Sequence, residues 1–397
     1  MFIDIENLDV GYDDKVIIEG INLNIGHGDL ISIMGSNGSG KTTFIKTMAR
    51  MISKIGGSIR IDGKALEDYT DKEYSKKIAL VLTEKPPNNL YTVYDIVALG
   101  RYPHTNFFGK LGVKDENLID QSLELVGAKN LKNRFFSELS DGEKQKVMIA
   151  RALSQDTEII IMDEPTVHLD IKNKIEILSI IRKLCKEKNI TVIASLHDID
   201  LALKNSDYVL FVKNKLVLGY GSPESLIRKH SIDYIFDINK ATYNKILGTL
   251  EWKSNIFSDN IFVIGGGGCA ADIYRILNKM DLSAVTGVLN ENDIDCIVAE
   301  SIGFNVIKEE SFMPISQQKI DEAIKYIEKA EVIIDCGVLF KGSHKNCINL
   351  LEAAIKLNKK IITFVDDRTI LFDYSLAKLI TIDEFYNELK QIKKKSL

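Results

Sequence analysis

The chain has 397 residues, 45% of them apolar and 27% charged, with a formal net charge of −5. That length supports at least two cored domains, and the acidic balance argues against broad adhesion to nucleic acid or anionic lipid. No apolar run approaches the roughly 20 residues needed to cross a bilayer, and no secretion signal precedes Ile3, so any membrane association is expected to be indirect.

Ile3 and Ile5, then Ile21, Leu23 and Ile25, alternate as half-buried strands do. They predict an antiparallel edge sheet that carries Tyr12. Leu30, Ile31, Ile33 and Met34 read as a buried strand delivering the run GSNGSGKTT, Gly35–Thr43. Its spacing is that of a phosphate-binding loop. The small residues Gly35, Ser36, Asn37, Gly38, Ser39 and Gly40 let successive backbone amides converge on phosphate oxygens. A helix then begins near Lys41 and turns its positive end to the same anion. Lys41 is placed to reach the β- and γ-phosphates of ATP, and the Thr42 hydroxyl, followed by Thr43, to take one position around Mg²⁺.

Residues from about 85 to 157 carry Pro86, Pro87 and Pro103 and then mostly helical patterns, which predicts a helical subdomain inserted between core strands. Within it, LSDGEKQKVMIARA (Leu139–Ala152) places Ser140 as a helix N-cap with Glu143 three residues on, the spacing of a capping box. The Ser140 hydroxyl and the amides around Gly142 would form a second anion site. One chain already owns a phosphate loop, so this second site is expected to serve another chain's ATP in a closed dimer.

Ile159–Met162 is a continuous apolar run, as expected of a parallel strand covered on both faces. Asp163 and Glu164 follow at its carboxyl end, where ligands of open α/β sheets collect. Adjacent residues of a strand point to opposite sides, so Asp163 is assigned to Mg²⁺ and Glu164 to activating water. Thr191–Ala194 predicts another buried strand, leading through Ser195 and Leu196 to His197, a candidate γ-phosphate sensor.

GYGSP at Gly219–Pro223 reads as the turn that closes the first domain, followed by a connector over 224–260 with Trp252 at a boundary or in a strand. Residues 261–397 then alternate strands and helices with short connections, predicting a second, mostly parallel α/β domain that ends in a short strand near Leu379–Ile382. Its GGGG run, Gly265–Gly268, follows a strand and precedes a helix, with Asn290, Asp293 and Asp335 at other strand ends and Gly337, Lys341, Gly342 and Ser343 as an opposite lip. It contains no GxGxxG fingerprint. A nucleotide-like effector, a scaffolding or dimerising role, and independent catalysis all stay open for this domain. Five scattered cysteines, Cys185, Cys269, Cys296, Cys336 and Cys347, form no close ligand pair and suit reduced cytosolic thiols.

The ordered set GSNGSGKTT, LSDGE, IIIMDEP, VHLD and His197 resembles the ATPase subunit of ATP-binding cassette transporters over roughly residues 1–225. LVLTE at Leu80–Glu84 and DIVALGRYPHTNFFGKLG at Asp95–Gly112 resemble the iron–siderophore, haem and cobalamin importer branch. The resemblance implies a cassette-type P-loop ATPase fold in which Tyr12 stacks on adenine and Asp170 is the D-loop aspartate. It also implies a homodimer on the cytoplasmic side of the membrane, coupled to permease subunits and through them to an external substrate-binding protein. Glu84 stands where the family usually has glutamine beside the metal and its waters. That adds a charge and removes a donor, and predicts retained hydrolysis with altered metal or pH response. The signature reads Ser140, Asp141, Gly142, Glu143 instead of the common glycine-glycine-glutamine form, and Ser140 and Gly142 survive. Two other readings stand beside the importer. A soluble cassette ATPase acting on nucleic acid or ribosomes often duplicates the cassette, whereas this chain has one phosphate loop; an ATP-gated interaction module without transport would have little use for intact Lys41, Asp163, Glu164 and His197.

Overall fold

The structure, a computed structural model, describes residues 2–13, 15–82, 90–105, 109–365 and 377–395. Glu84, with Pro86 and Pro87, lies outside the described residues. The chain forms two compact units, Met1–Asp237 and Ile238–Leu397. The segment expected as a connector is therefore divided between them.

The first unit opens with an antiparallel hairpin of β1 (Ile3–Tyr12) and β2 (Lys15–Ile25), which sets Ile3 opposite Ile25 and Leu8 opposite Ile21. β3 (Leu30–Met34) is buried along its whole length and feeds α1 (Lys41–Met48). β4 (Gly56–Ile61) and β5 (Lys64–Ala65) continue the antiparallel layer; α2 (Asp71–Ser75) and β6 (Ile78–Val81) follow. Between β6 and β7 (Ile159–Met162) lies the helical insert: α3 (Val93–Ala98), α4 (Val113–Leu125) and α5 (Asp141–Ser154). The rest of the unit is α6 (Ile171–Lys188), β8 (Thr191–Ser195), α7 (Ile199–Asn205), β9 (Tyr208–Lys213), β10 (Leu216–Gly221), α8 (Pro223–Lys229) and α9 (Ile232–Ile235). Just past α9, Asp237 pairs with Lys213 at the end of β9 at 2.6 Å.

Ten strands run in the order β5-β4-β1-β2-β10-β9-β3-β8-β7-β6. β6, β7, β8, β3 and β9 pair in parallel, whereas β1, β2, β4 and β5 pair antiparallel. The parallel strands β3, β7 and β8 are buried at every residue, which is why their sequences are mostly apolar with no alternation, Ser32, Thr191 and Ser195 being their polar members. The insert is pinned by Arg101, 2% exposed. Its guanidinium donates to the Ser154 carbonyl at 2.6 Å and to Asp115 Oδ1 at 2.8 Å, joining the turn after α3 to both α5 and α4.

The second unit begins with a hairpin, β11 (Ala241–Asn244) and β12 (Thr249–Trp252), which places Trp252 in a strand. Six parallel strands then form one sheet: β13 (Ile261–Ile264), β14 (Val285–Asn290), β15 (Asn305–Glu309), β16 (Val332–Asp335), β17 (Lys360–Thr363) and β18 (Ala377–Leu379). Their order is β15-β14-β13-β16-β17-β18, the doubly wound arrangement whose switch point lies between the first and fourth strands. One apolar layer joins Ile261 and Val263 to α10 (Ala271–Lys279) and α11 (Ile294–Ile302). The other joins Phe262 and Ile264 to α12 (Gln317–Lys329) and α13 (Ile348–Lys356). The expected closing strand at Leu379–Ile382 is corrected: the strand ends at Leu379 and Ile382 opens a helix, α14 (Ile382–Lys395). Thr381 and Glu384 form a reciprocal capping box there, at 2.8 Å and 3.3 Å, and Phe385 and Leu389, one turn apart, are fully buried in the first apolar layer. No described helix is long and apolar enough to cross a membrane.

Phe385 meets Phe364 edge to face at 5.2 Å. Phe385→Ala is expected to destabilise the second unit by about 3–5 kcal/mol and to lower its unfolding transition in scanning calorimetry, leaving ATP binding by the first unit unchanged.

Candidate active site

The loop Gly35–Gly40 is built by two close approaches. A Cβ on Gly35 would lie 2.1 Å from the Val212 carbonyl oxygen, and Gly40, at φ +102°, caps α1 while packed against Ile17 and Ile18. Only glycine serves at both places. Lys41, 5% exposed, donates to the Gly35 and Ser36 carbonyls at 2.9 and 3.0 Å. Burial lowers its pKa from the ordinary value, against the raising influence of the Glu164 and Asp163 carboxylates. A poorly solvated ammonium at the head of a glycine loop is a strong attractor for phosphate oxygens.

Three parallel strands bring the rest of the site to the same edge of the sheet. β8 pairs with β3 on one side, Ile33 opposite Ser195, and with β7 on the other, Met162 opposite Ala194. Asp163 therefore emerges beside the phosphate loop, and Thr42 Oγ1 lies 3.4 Å from Asp163 Oδ1. Glu164 has a left-handed backbone, φ +50°, an arrangement that bulky residues adopt only when their surroundings enforce it. His197 Nε2 donates to Glu164 Oε1 at 2.5 Å. A cleft of about 560 Å³ is bordered by Gly38, Glu164 and His197. The larger cavity of about 850 Å³, lined by Trp252 and Arg275 of the second unit, holds none of these residues.

The donor set fits a magnesium ion: a threonine hydroxyl and a buried carboxylate converge, all hard oxygen ligands. Ser39 Oγ, in the loop itself, is buried with no hydrogen-bond partner among the described atoms. The structure thus brings Lys41, Thr42, Asp163, Glu164 and His197 together. Tyr12 is 45% exposed at the end of β1. Asp170 is the N-cap of α6, accepting from the Asn173 amide at 2.8 Å. Ser140 caps α5 in a full capping box with Glu143, and Gly142 is pressed so closely to Asn173 that a Cβ would sit 2.5 Å from its Oδ1. Ser140 is itself exposed, with its hydroxyl and amide turned to the Glu143 carboxylate. Sequence reasoning missed Ser195. The available signal was a hydroxyl closing a buried strand whose interior, Val192–Ala194, is apolar.

The glycine run of the second unit is a different object. The loops after β13, β14 and β16 do converge: a Cβ on Gly266 would lie 2.7 Å from His344 and 2.9 Å from Val338. Its amides, however, serve the chain's own carboxylates. Gly266 and Ala270 donate to Asp295 at 2.8 and 3.1 Å, and Gly267 donates to Asp293 at 2.8 Å. Asp295 is completely buried, and burial pushes its pKa up. Two carboxylates hold the donors a phosphate would use, and their charge opposes an anion there.

A parallel sheet with a phosphate loop, an acid pair and a histidine at one edge, flanked by an antiparallel layer and a helical insert, defines a cassette-type nucleotide hydrolase. The ABC transporter family pattern matches residues 18–167, and that of the MJ0874 family matches residues 284–393. The uncharacterized ABC transporter ATP-binding protein MJ0873 of Methanocaldococcus jannaschii is 42% identical over 285 residues, covering 72% of this chain and 98% of that protein. The iron(3+)-hydroxamate import ATP-binding protein FhuC of Bacillus subtilis is 35% identical over 235 residues, covering 59% of this chain and 87% of that protein. The cobalamin import ATP-binding protein BtuD of Halobacterium salinarum is 30% identical over 310 residues, covering 76% and 77%. This chain belongs to the ABC transporter ATP-binding proteins and is an ATPase that binds ATP.

Asp295→Ala leaves the amides of Gly266 and Ala270 without their acceptor. It is expected to cost the second unit about 2–4 kcal/mol, read as a lower thermal midpoint with unchanged ATP hydrolysis.

Proposed function

We propose that this chain drives import of an iron complex or cobalamin through a membrane permease, as a peripheral ATPase on the cytoplasmic side of the membrane. Relatives named for iron(3+)-hydroxamate and cobalamin import support the substrate class. The observation that supports the coupling is a set of large apolar side chains left exposed on the helical insert: Leu90, Leu99, Tyr102 and Val113 are 81%, 53%, 78% and 80% exposed. Large exposed apolar patches mark interaction surfaces, and this insert is where a permease would dock. Specificity for one iron complex or corrinoid would then lie with the permease and its external binding protein.

In the proposed cycle the amides of Gly35–Gly40 and the Lys41 ammonium hold the ATP phosphates. Thr42 and Asp163 would hold Mg²⁺, which would supply positive charge against the phosphates. Glu164 accepts a proton from water as the water oxygen bonds to the γ-phosphorus and the bond to ADP breaks. His197 keeps the Glu164 carboxylate aimed, through the bond already present at 2.5 Å. Ser140 and Gly142 of a second copy complete the site across a homodimer, with Asp170 at the start of α6 beside that junction and Tyr12 against adenine. Glu84 would approach the metal's waters. The second unit, whose glycine-loop amides already serve Asp293 and Asp295, is assigned to dimerisation or partner recognition.

Withdrawing a positioned base lowers rates by about 10² to 10⁴. Glu164→Gln is expected to lose hydrolysis on that scale and to accumulate as an ATP-bound dimer in gel filtration; hydrolysis at the parental rate would remove Glu164 as the base. Tyr102→Ala is expected to abolish co-purification with the permease and substrate-stimulated hydrolysis in liposomes, while basal hydrolysis in solution persists. Failure of the parent chain to associate with any membrane protein would instead favour a soluble cassette ATPase.

A further inference from the structure

Ser195 closes β8, between the strand that delivers the phosphate loop and the strand that delivers the acid pair. Its hydroxyl is completely buried and makes two hydrogen bonds. It donates to Asp163 Oδ1 at 2.7 Å and accepts from the Glu164 backbone amide at 2.8 Å. The same carboxylate oxygen faces Thr42 Oγ1 at 3.4 Å, and Glu164 is the residue held at φ +50°. Two residues further on, His197 donates to the Glu164 carboxylate.

We infer that Ser195 is a positioning residue for ATP hydrolysis: its hydroxyl orients the Asp163 carboxylate toward the metal position and fixes the left-handed backbone that aims Glu164. The inference rests on the roles proposed above for Asp163 and Glu164. A hydroxyl is required because the site needs a donor and an acceptor on one atom within about 3 Å of each partner. Alanine or valine would leave a buried carboxylate oxygen short of one donor and an amide with no acceptor. The carboxylate would then be free to turn, and the backbone at Glu164 to relax from the left-handed region. Both losses fall on the metal and on the base, and neither touches the loop that grips the phosphates.

The test compares full-length Ser195→Ala and Ser195→Thr with the parent. Mn²⁺, which takes the same oxygen donors as Mg²⁺, is titrated by electron paramagnetic resonance in the presence of ATP, alongside hydrolysis and thermal melting. For Ser195→Ala we expect Mn²⁺ binding weaker by about tenfold and kcat lower by about tenfold, the loss of one hydrogen bond to a charged group, with KM for ATP at saturating metal changed less than about twofold. Ser195→Thr, which keeps the hydroxyl, is expected to restore Mn²⁺ affinity and most of the rate. Parental Mn²⁺ binding and rate in Ser195→Ala would overturn the inference, as would equal losses in both variants at an unchanged melting temperature. A Glu164→Gln variant that hydrolysed at the parental rate would overturn the underlying base assignment instead, and the Mn²⁺ titration would still report on Ser195 and Asp163.

Discussion

The parallel register of β3, β8 and β7 is the constraint on which the active site depends. Each strand ends at the same edge of the sheet, and each carries its chemistry at or just past its carboxyl end: the phosphate loop after Met34, the acid pair after Met162, and Ser195 and His197 at and beyond the end of β8. A slip of one residue would turn Asp163 and Ser195 to opposite faces of the sheet. The register is held because these strands are buried on both sides, so any shift would have to repack two apolar layers at once.

The two units show opposite uses of one local device. Both place a glycine-rich turn between a parallel strand and a helix. In the first, a buried lysine stands over the turn and is answered, among the described residues, by two loop carbonyls and more distant carboxylates, a site whose electrostatics favour an incoming anion. In the second, Asp295 and Asp293 already lie on the turn's amides, so the charge is supplied from within. Glycine content alone does not separate these cases; what decides is which side chains the neighbouring strand ends bring to the turn.

Much of the first unit was legible from local pattern. Mostly apolar runs marked the central strands, Ser140 with Glu143 marked the start of α5, and the phosphate-loop spacing marked Lys41 and Thr42. α14 was misread because its apolar residues Phe385 and Leu389 are few among charged neighbours, although Thr381 with Glu384 was a readable capping signal. Trp252 could not be placed by pattern, since the hairpin it belongs to is short and its register depends on pairing with Ala241. The buried role of Arg101 was equally hidden, because a guanidinium goes inside only when a carbonyl and a carboxylate from other helices are waiting for it.

By itself the sequence determined the chemistry available to this protein: a glycine loop with lysine and threonine, an acid pair after an apolar strand, a histidine after another, and a second α/β domain. These are properties of residue type and spacing, carried by backbone geometry over a few residues. The tertiary structure alone decided which groups meet: that Ser195 bridges Asp163 and the Glu164 amide, that His197 reaches Glu164, and that Asp295 takes the amides of the second glycine turn. The partners in those bonds lie 25 or more positions apart along the chain. Only strand pairing between distant segments brings them within hydrogen-bonding distance.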